Sequence, residues 1–315
     1  MNHEPVEHST TERTLGRLPS GADIAVTVHR YSGGDGPTVY VQAAQHGIEL
    51  NGPAVLRRVH DNLTDASLAG TVVTVPLVNP PAFDHRSYVT PPALDTSNAN
   101  MNRTWPGDAT GTFQERITAR LWELASEADA IVDLHTGTPD MLEHVRVAED
   151  GDAVDLAAAF GTQYRLVDDL DPDSSGKLRA AARAAGIPTV VAELSNSRQV
   201  RQEAVETGVR GVRNVLRELD VLAPDPRSVP EQTVLRDDAA PTRASDSGLF
   251  ELHPDVAVGD RIEAGAELGT LYCPSSFERL ETVRAEDNGV VYSLARESVA
   301  VAGERLAAVA QWVDR

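Results

Sequence analysis

Thr38-Val-Tyr-Val-Gln-Ala-Ala-Gln-His46-Gly-Ile-Glu49 joins an apolar, β-rich run to two side chains that bind metals. Thr38 to Ala44 reads as a buried strand, bounded upstream by Gly33-Gly34-Asp35-Gly36-Pro37. His46 and Glu49 follow three residues apart, just past the strand end, where both can turn toward one point. A second segment repeats the arrangement: Ala130 to Leu134 is apolar, and Asp133-Leu-His135-Thr-Gly137 delivers another imidazole at its end. Two imidazoles and one carboxylate are the protein ligands of a catalytic zinc site whose fourth position stays open. His46, Glu49 and His135 are therefore the candidate metal ligands.

Outward from these segments, apolar β-rich runs recur at Thr71–Val78, Val145–Ala148 and Thr189–Leu194. Helical stretches lie between or after them at Pro53–Asn62, Phe113–Ala125, Val154–Phe160, Gly176–Ala185 and Arg198–Leu219. From about Ala22 to Leu219 this alternation predicts an α/β fold with a mainly parallel sheet. Ligands bind such sheets at the carboxyl ends of the strands, where His46, His135 and Glu193 all fall. Glu193 ends Thr-Val-Val-Ala-Glu-Leu. A carboxylate there is costly to bury without a partner, but beside a metal it can take a proton from water and hand it to a leaving nitrogen.

Asn79 to Asp108 is rich in Pro, Asn and Asp and lacks periodicity, which marks a functional or disordered loop. It carries Arg86, Asn98, Asn100, Asn102 and Arg103. The fork of Arg103 suits a substrate carboxylate, and Arg86 suits the oxyanion of a tetrahedral intermediate.

Near Ala223-Pro224-Asp225 the pattern changes to short β-runs and repeated Gly turns. This predicts two units, residues 1–222 and 223–315. Val258 to Gly269, followed by Val283 to Val291, resembles the flattened β-sandwich of biotinyl and lipoyl carrier domains. A carrier needs a lysine at its hairpin tip. No lysine follows Lys177, the only one in the chain, so the second unit is expected to be structural or a lid.

Aspartate and glutamate outnumber lysine and arginine 48 to 28, for a net charge of −20. Such a surface repels nucleic acid and anionic lipid, which excludes both as partners. Diffuse acidity with one lysine predicts adaptation to high salt, where self-repulsion is screened. A single cysteine excludes an internal disulfide and predicts a reducing, cytoplasmic setting. No apolar stretch is long enough to span a membrane, and Met1 to His8 lacks the basic and apolar regions of a signal peptide. The sequence leaves a homo-oligomer open.

The ordered set His46-Gly-Ile-Glu49, Asn79-Pro-Pro-Ala-Phe with Arg86, Asn102-Arg103-Thr-Trp-Pro-Gly, Asp133-Leu-His135-Thr-Gly and Glu193 resembles the succinylglutamate desuccinylase/aspartoacylase family of the zinc carboxypeptidase clan. The resemblance runs over roughly residues 38 to 220, and the β-rich tail is similar to the extra domain of that family. It implies a carboxypeptidase-like mixed sheet flanked by helices, with a smaller C-terminal all-β domain. It further implies one zinc on His46, Glu49 and His135, Glu193 as general base and acid, Arg86 at the oxyanion, and Asn102 with Arg103 at the substrate carboxylate. The implied reaction is hydrolysis of the amide bond of a small N-acyl amino acid. A metallocarboxypeptidase acting on C-terminal peptide bonds is the alternative within the same chemistry, and a non-catalytic metal- or ligand-binding protein the alternative outside it. The chain departs from the family pattern at Ile48, where Asn is usual, and at Ala44, where Gly usually precedes the His.

Overall fold

The structure, a computed structural model, describes residues 2–97, 99–137, 140–148, 151–168, 175–225 and 231–313; Asn98 of the long loop lies outside them. The first part of the chain builds strands β1 (Glu7–Arg17), β2 (Asp23–Ser32), β3 (Gly34–Ala43) and β4 (Ser67–Val75), with helix α1 (Asn51–Leu63) after β3. Helices α2 (Pro80–Asp84) and α3 (Phe113–Ala125) precede β5 (Ala130–Gly137), β6 (His144–Val147), α4 (Ala153–Phe160) and β7 (Tyr164–Val167). Helix α5 (Leu178–Ala184), β8 (Thr189–Asn196) and α6 (Gln202–Glu218) complete the α/β part. Strand β9 (Thr233–Arg236) then leads to β10 (Gly248–Leu252), β11 (Glu267–Tyr272), β12 (Arg279–Arg284), β13 (Gly289–Leu294) and β14 (Arg305–Trp312).

The main sheet has the order β1-β2-β4-β3-β5-β8-β6-β7-β9-β14-β13. Its centre, β4-β3-β5-β8, is parallel, with Val41 opposite Val132 and Glu193 opposite His135. The sheet is mixed rather than mainly parallel, because β8 pairs antiparallel with β6 and the β1–β2 hairpin adds antiparallel strands at one edge. The periodicity reading begins near Ala22 and so misses β1. That strand is exposed along nearly all its length, and Leu15 is its one buried residue.

Period-2 alternation in the central strands feeds two cores, one on each face. Val39, Val41 and Ala43 of β3 and Val132 and Leu134 of β5 pack beneath α1, α4 and α6. Tyr40 and Ile131 point the other way, against Ile117 and Leu121 of α3 and Leu178 and Ala182 of α5. On α1 the stripe Val55, Leu56, Val59 and Leu63 recurs at helical spacing and is fully buried. Helix α3 starts with a capping box between Thr112 and Glu115. Helix α6 begins at Gln202 rather than Arg198, since Arg198 has a φ of +69° and cannot continue a right-handed helix.

The C-terminal residues form two antiparallel layers. Strands β13 and β14 extend the main sheet, while β10, β11 and β12 form a separate sheet. Phe250, Leu271, Val283, Val291 and Val309 fill the space between them. Hydrogen bonding is continuous across the change of pattern, because β9 pairs with β7 on one side and with β14 on the other.

Candidate active site

Strand β3 stops at Ala43, and Ala44 turns the chain with a φ of +59°. That left-handed conformation costs a residue with a side chain about 1–2 kcal/mol, so the departure from Gly at this position is made against a backbone that still favours Gly. Gly47 cannot be replaced cheaply, because a Cβ there would sit 2.1 Å from the carbonyl carbon of Ala82. This close approach seats the His46–Glu49 turn against α2. Asn79 reinforces it: its amide donates to Gln45 O at 2.9 Å, and its side-chain oxygen accepts from Ala82 N at 3.3 Å.

His46, Glu49 and His135 are all buried, and one ligand atom from each lies within 4.8 Å of the others. The Glu49 carboxylate bridges the two rings, with Oε1 2.8 Å from His46 Nδ1 and Oε2 3.0 Å from His135 Nδ1. The outer nitrogens are both engaged: His135 Nε2 lies 2.9 Å from Asp133 Oδ2, and His46 Nε2 lies 3.2 Å from Asn100 Oδ1. Asp133 also accepts from Gln42 and Gln45, at 3.0 and 2.6 Å, and Trp105 Nε1 donates to Gln45 at 2.8 Å. Outer partners of this kind fix the tautomer of a metal-binding imidazole and aim its other nitrogen inward. Two Nδ1 atoms and a carboxylate converging in this way could hold a metal ion.

Two glutamates here are driven in opposite directions. Burial alone would raise Glu49, but His46 and His135 outweigh it and bring its pKa down to about 2. Glu193 is raised, by burial first, with Glu49 contributing in the same direction. One carboxylate is thus held ionised while its neighbour is pushed toward accepting a proton, the pattern of divided acid–base roles. Glu193 comes from β8, and Asn51 sets the strand's end against α1 by donating to Leu194 O at 2.7 Å.

These residues line one end of a cavity of about 400 Å³ that also receives Asn102 and Arg103. Met101–Arg103 is a single 3₁₀ turn, with Asn100 Oδ1 accepting from Asn102 N at 2.9 Å. The loop before α5 docks on this turn. Asn102 Oδ1 accepts from Leu178 N at 3.0 Å, and Gly176, at φ +82°, lies where a Cβ would meet Arg103 O at 2.2 Å. Lys177, the chain's only lysine, is thereby set in the cavity wall, where burial and neighbouring Arg103 lower its pKa.

The structure does not bring Arg86 to this cavity: it is exposed and lines a separate depression with Phe83 and Arg198. Its N–H donates to Phe83 O at 2.9 Å to close the turn after α2, and its φ of +53° directs the chain so that Tyr88 faces inward instead. The Tyr88 ring stacks on His46 with centroids 4.0 Å apart and planes 17° apart. Burial, aided by Glu49, pushes its hydroxyl up to about 12, so it stays a hydrogen-bond donor. Sequence reading passed over Tyr88, although it lies two residues beyond the arginine that drew attention.

The far end of the cavity was also missed. Arg146 on β6 meets Asp168 and Asp237, each at 2.7 Å, and Arg179 grips Asp168 at 2.6 and 3.0 Å. Tyr292 donates to Asp237 at 2.8 Å, and the Arg146 guanidinium lies 5.8 Å from the Tyr292 ring centroid. Asp237, Tyr292 and Arg305 all come from the C-terminal part, which forms cavity wall rather than a detached appendage. No helix among the described residues is long and apolar enough to cross a membrane.

Residues 35–219 match the model of the succinylglutamate desuccinylase/aspartoacylase catalytic domain. An N-alpha-acetyl-L-2,4-diaminobutyric acid deacetylase from Halomonas elongata is 26% identical over 295 residues, covering 89% of this chain and 84% of that protein. The product-bound structure of the ectoine utilization protein EutE (DoeB) from Ruegeria pomeroyi is similar, at 25% identity, a TM-score of 0.85, and coverage of 98% and 96%. A succinylglutamate desuccinylase from Silicibacter sp. TM1040 shares the fold, with a TM-score of 0.85 at 23% identity and coverage of 98% and 96%. The domain match spans more than half of the chain and contains His46, Glu49, His135 and Glu193: the protein belongs to the succinylglutamate desuccinylase/aspartoacylase family of deacylase-type hydrolases.

Proposed function

We propose that this protein is a zinc-dependent deacylase that hydrolyses the amide bond of a small N-acyl amino acid. The buried His46–Glu49–His135 set, with Glu193 facing the same cavity, carries the reading. When bound there, a zinc ion supplies Lewis acidity to the scissile carbonyl and to the attacking water. Glu193 takes a proton from that water as it adds to the carbonyl carbon and passes it to the departing nitrogen, so that water and amide become carboxylic acid and amine. The Tyr88 hydroxyl, in the position the sequence offered to Arg86, donates to the oxygen that gains charge. Asn102 and Arg103 bind the substrate carboxylate, and Lys177 adds positive charge to that wall.

We extend the proposal to the division of the chain. Residues 1–222 supply the metal and proton chemistry. Residues 223–315 act as an accessory unit that walls the cavity with Asp237, Tyr292 and Arg305. A cavity of about 400 Å³ suits a small molecule better than a peptide, which supports deacylation over carboxypeptidase action. The test is a screen of N-acetyl, N-succinyl and N-formyl amino acids against C-terminal dipeptides. N-alpha-acetyl-L-2,4-diaminobutyrate belongs in the first round, since a relative is named for its deacetylation. Release of free amino acid from the N-acyl set alone is expected. Turnover of the dipeptides alone would replace the deacylase reading with the carboxypeptidase one.

A further inference from the structure

Three of the chain's nine histidines meet at one edge of the main sheet, and the proposed catalytic chemistry uses none of them. His8 lies on the edge strand β1, His29 on β2, and His60 in the last turn of α1. One ring nitrogen from each falls within 4.8 Å of the others. We propose that His8, His29 and His60 form a second metal site for a late first-row divalent ion, zinc in the first instance.

The spacing of the three rings is close to that of ligands on an ion. His8 Nε2 and His29 Nδ1 face each other at 3.2 Å. Two imidazole nitrogens on a tetrahedral zinc, each about 2.0–2.1 Å from it, stand about 3.3 Å apart. That pair therefore already has its ligating separation, and the third ring has to close by no more than about 1.5 Å, within reach of a side-chain rotation. Stacking of His8 on Tyr31, at 4.7 Å and 21°, accounts for how the ring packs, and without an ion an N–H···N hydrogen bond joins its Nε2 to His29. His60 is anchored as well: its Nδ1 bonds the buried Tyr31 hydroxyl at 2.8 Å. Imidazole-only sites suit zinc, copper and nickel rather than calcium or magnesium. An ion held here ties the edge hairpin to the end of α1, whose other end begins two residues after Glu49.

The test counts metal in the full-length protein, stripped with chelator and dialysed against zinc. Wild type is expected to retain about two equivalents per chain, and His8→Ala/His29→Ala about one, with amide hydrolysis unchanged. His46→Ala/His135→Ala should keep the equivalent held by the surface rings, so failure of this site and failure of the catalytic one give different patterns. Copper(II) bound to the His46→Ala/His135→Ala protein should show nitrogen hyperfine splitting in its electron paramagnetic resonance spectrum. His60→Gln, a milder change on the same cluster, should weaken that signal. Retention of only one equivalent by wild type overturns the proposal, and so does a second equivalent that survives in His8→Ala/His29→Ala.

Discussion

The two ends of the cavity are built differently. At the metal end, His46 and Glu49 lie in one turn, His135 follows Asp133 on the adjacent strand, and Glu193 lies opposite His135 in parallel register. At the far end, Arg146, Asp168, Arg179, Asp237 and Tyr292 come from five separate segments and meet through hydrogen bonds and ion pairs. Chemistry that needs tenths of an ångström rests on strand ends. Recognition, which varies with the substrate, rests on side chains that long-range folding brings together. The metal end should therefore control turnover and the far end substrate binding.

The largest effects are expected from the ligands. His46→Ala or His135→Ala should remove the tightly bound ion of the active site and abolish hydrolysis, as measured by metal content and turnover. Unchanged catalytic metal in both variants would break the comparison at its root. Glu193→Gln should keep the ion and the fold yet lower kcat by roughly 10²–10⁴, the scale of a lost general base, with little change in KM. Near-normal turnover would assign water activation to another residue.

Asp133→Asn comes next. It weakens the acceptor behind His135, and outer partners of this type are worth about 10–100-fold in metal affinity or activity. Competition with a chelator measures the affinity, and an unaltered value would show that the charge of Asp133 is not what orients the ring. Arg103→Met probes the wall proposed to hold the substrate carboxylate. A hydrogen bond to a charged group contributes about 1.5–3 kcal/mol, so KM should rise about 10–100-fold while kcat stays nearly constant. A fall in kcat with KM unchanged would move Arg103 from binding into the chemistry.

The smallest effect spreads over both regions. With a net charge of −20, raising salt from about 0.1 M to 1 M shortens the screening length from about 10 to 3 Å and should raise the melting temperature. Ion pairs exposed to solvent, such as Arg57–Asp61, contribute only about 0–1 kcal/mol each and do not offset the net repulsion. Similar curves in NaCl and KCl are expected from screening, and a flat or falling melting temperature would contradict the high-salt reading.

The sequence by itself determined the central strands, the main helices, the α/β class and the gathering of His46, Glu49 and His135. Their signals are local: an apolar run of period two, a turn, and ligand-type side chains within a few residues of the strand end. Asn102 and Arg103 were legible for the same reason, as a compact polar motif that does reach the cavity. Arg86 shows where that reasoning stops. A single left-handed φ after a short helix sends it to solvent and brings in Tyr88, and nothing in the residue types at those positions reports a backbone angle. Strand β1 went unread because an edge strand solvated on nearly every residue has no apolar alternation to detect. Only the tertiary structure decided the far wall. Asp168 and Asp237, 69 positions apart in sequence, share Arg146 because the pairing of β7 with β9 carries the chain back to the site. Contacts made across a sheet depend on strand order, and strand order is a property of the whole fold rather than of any segment within it.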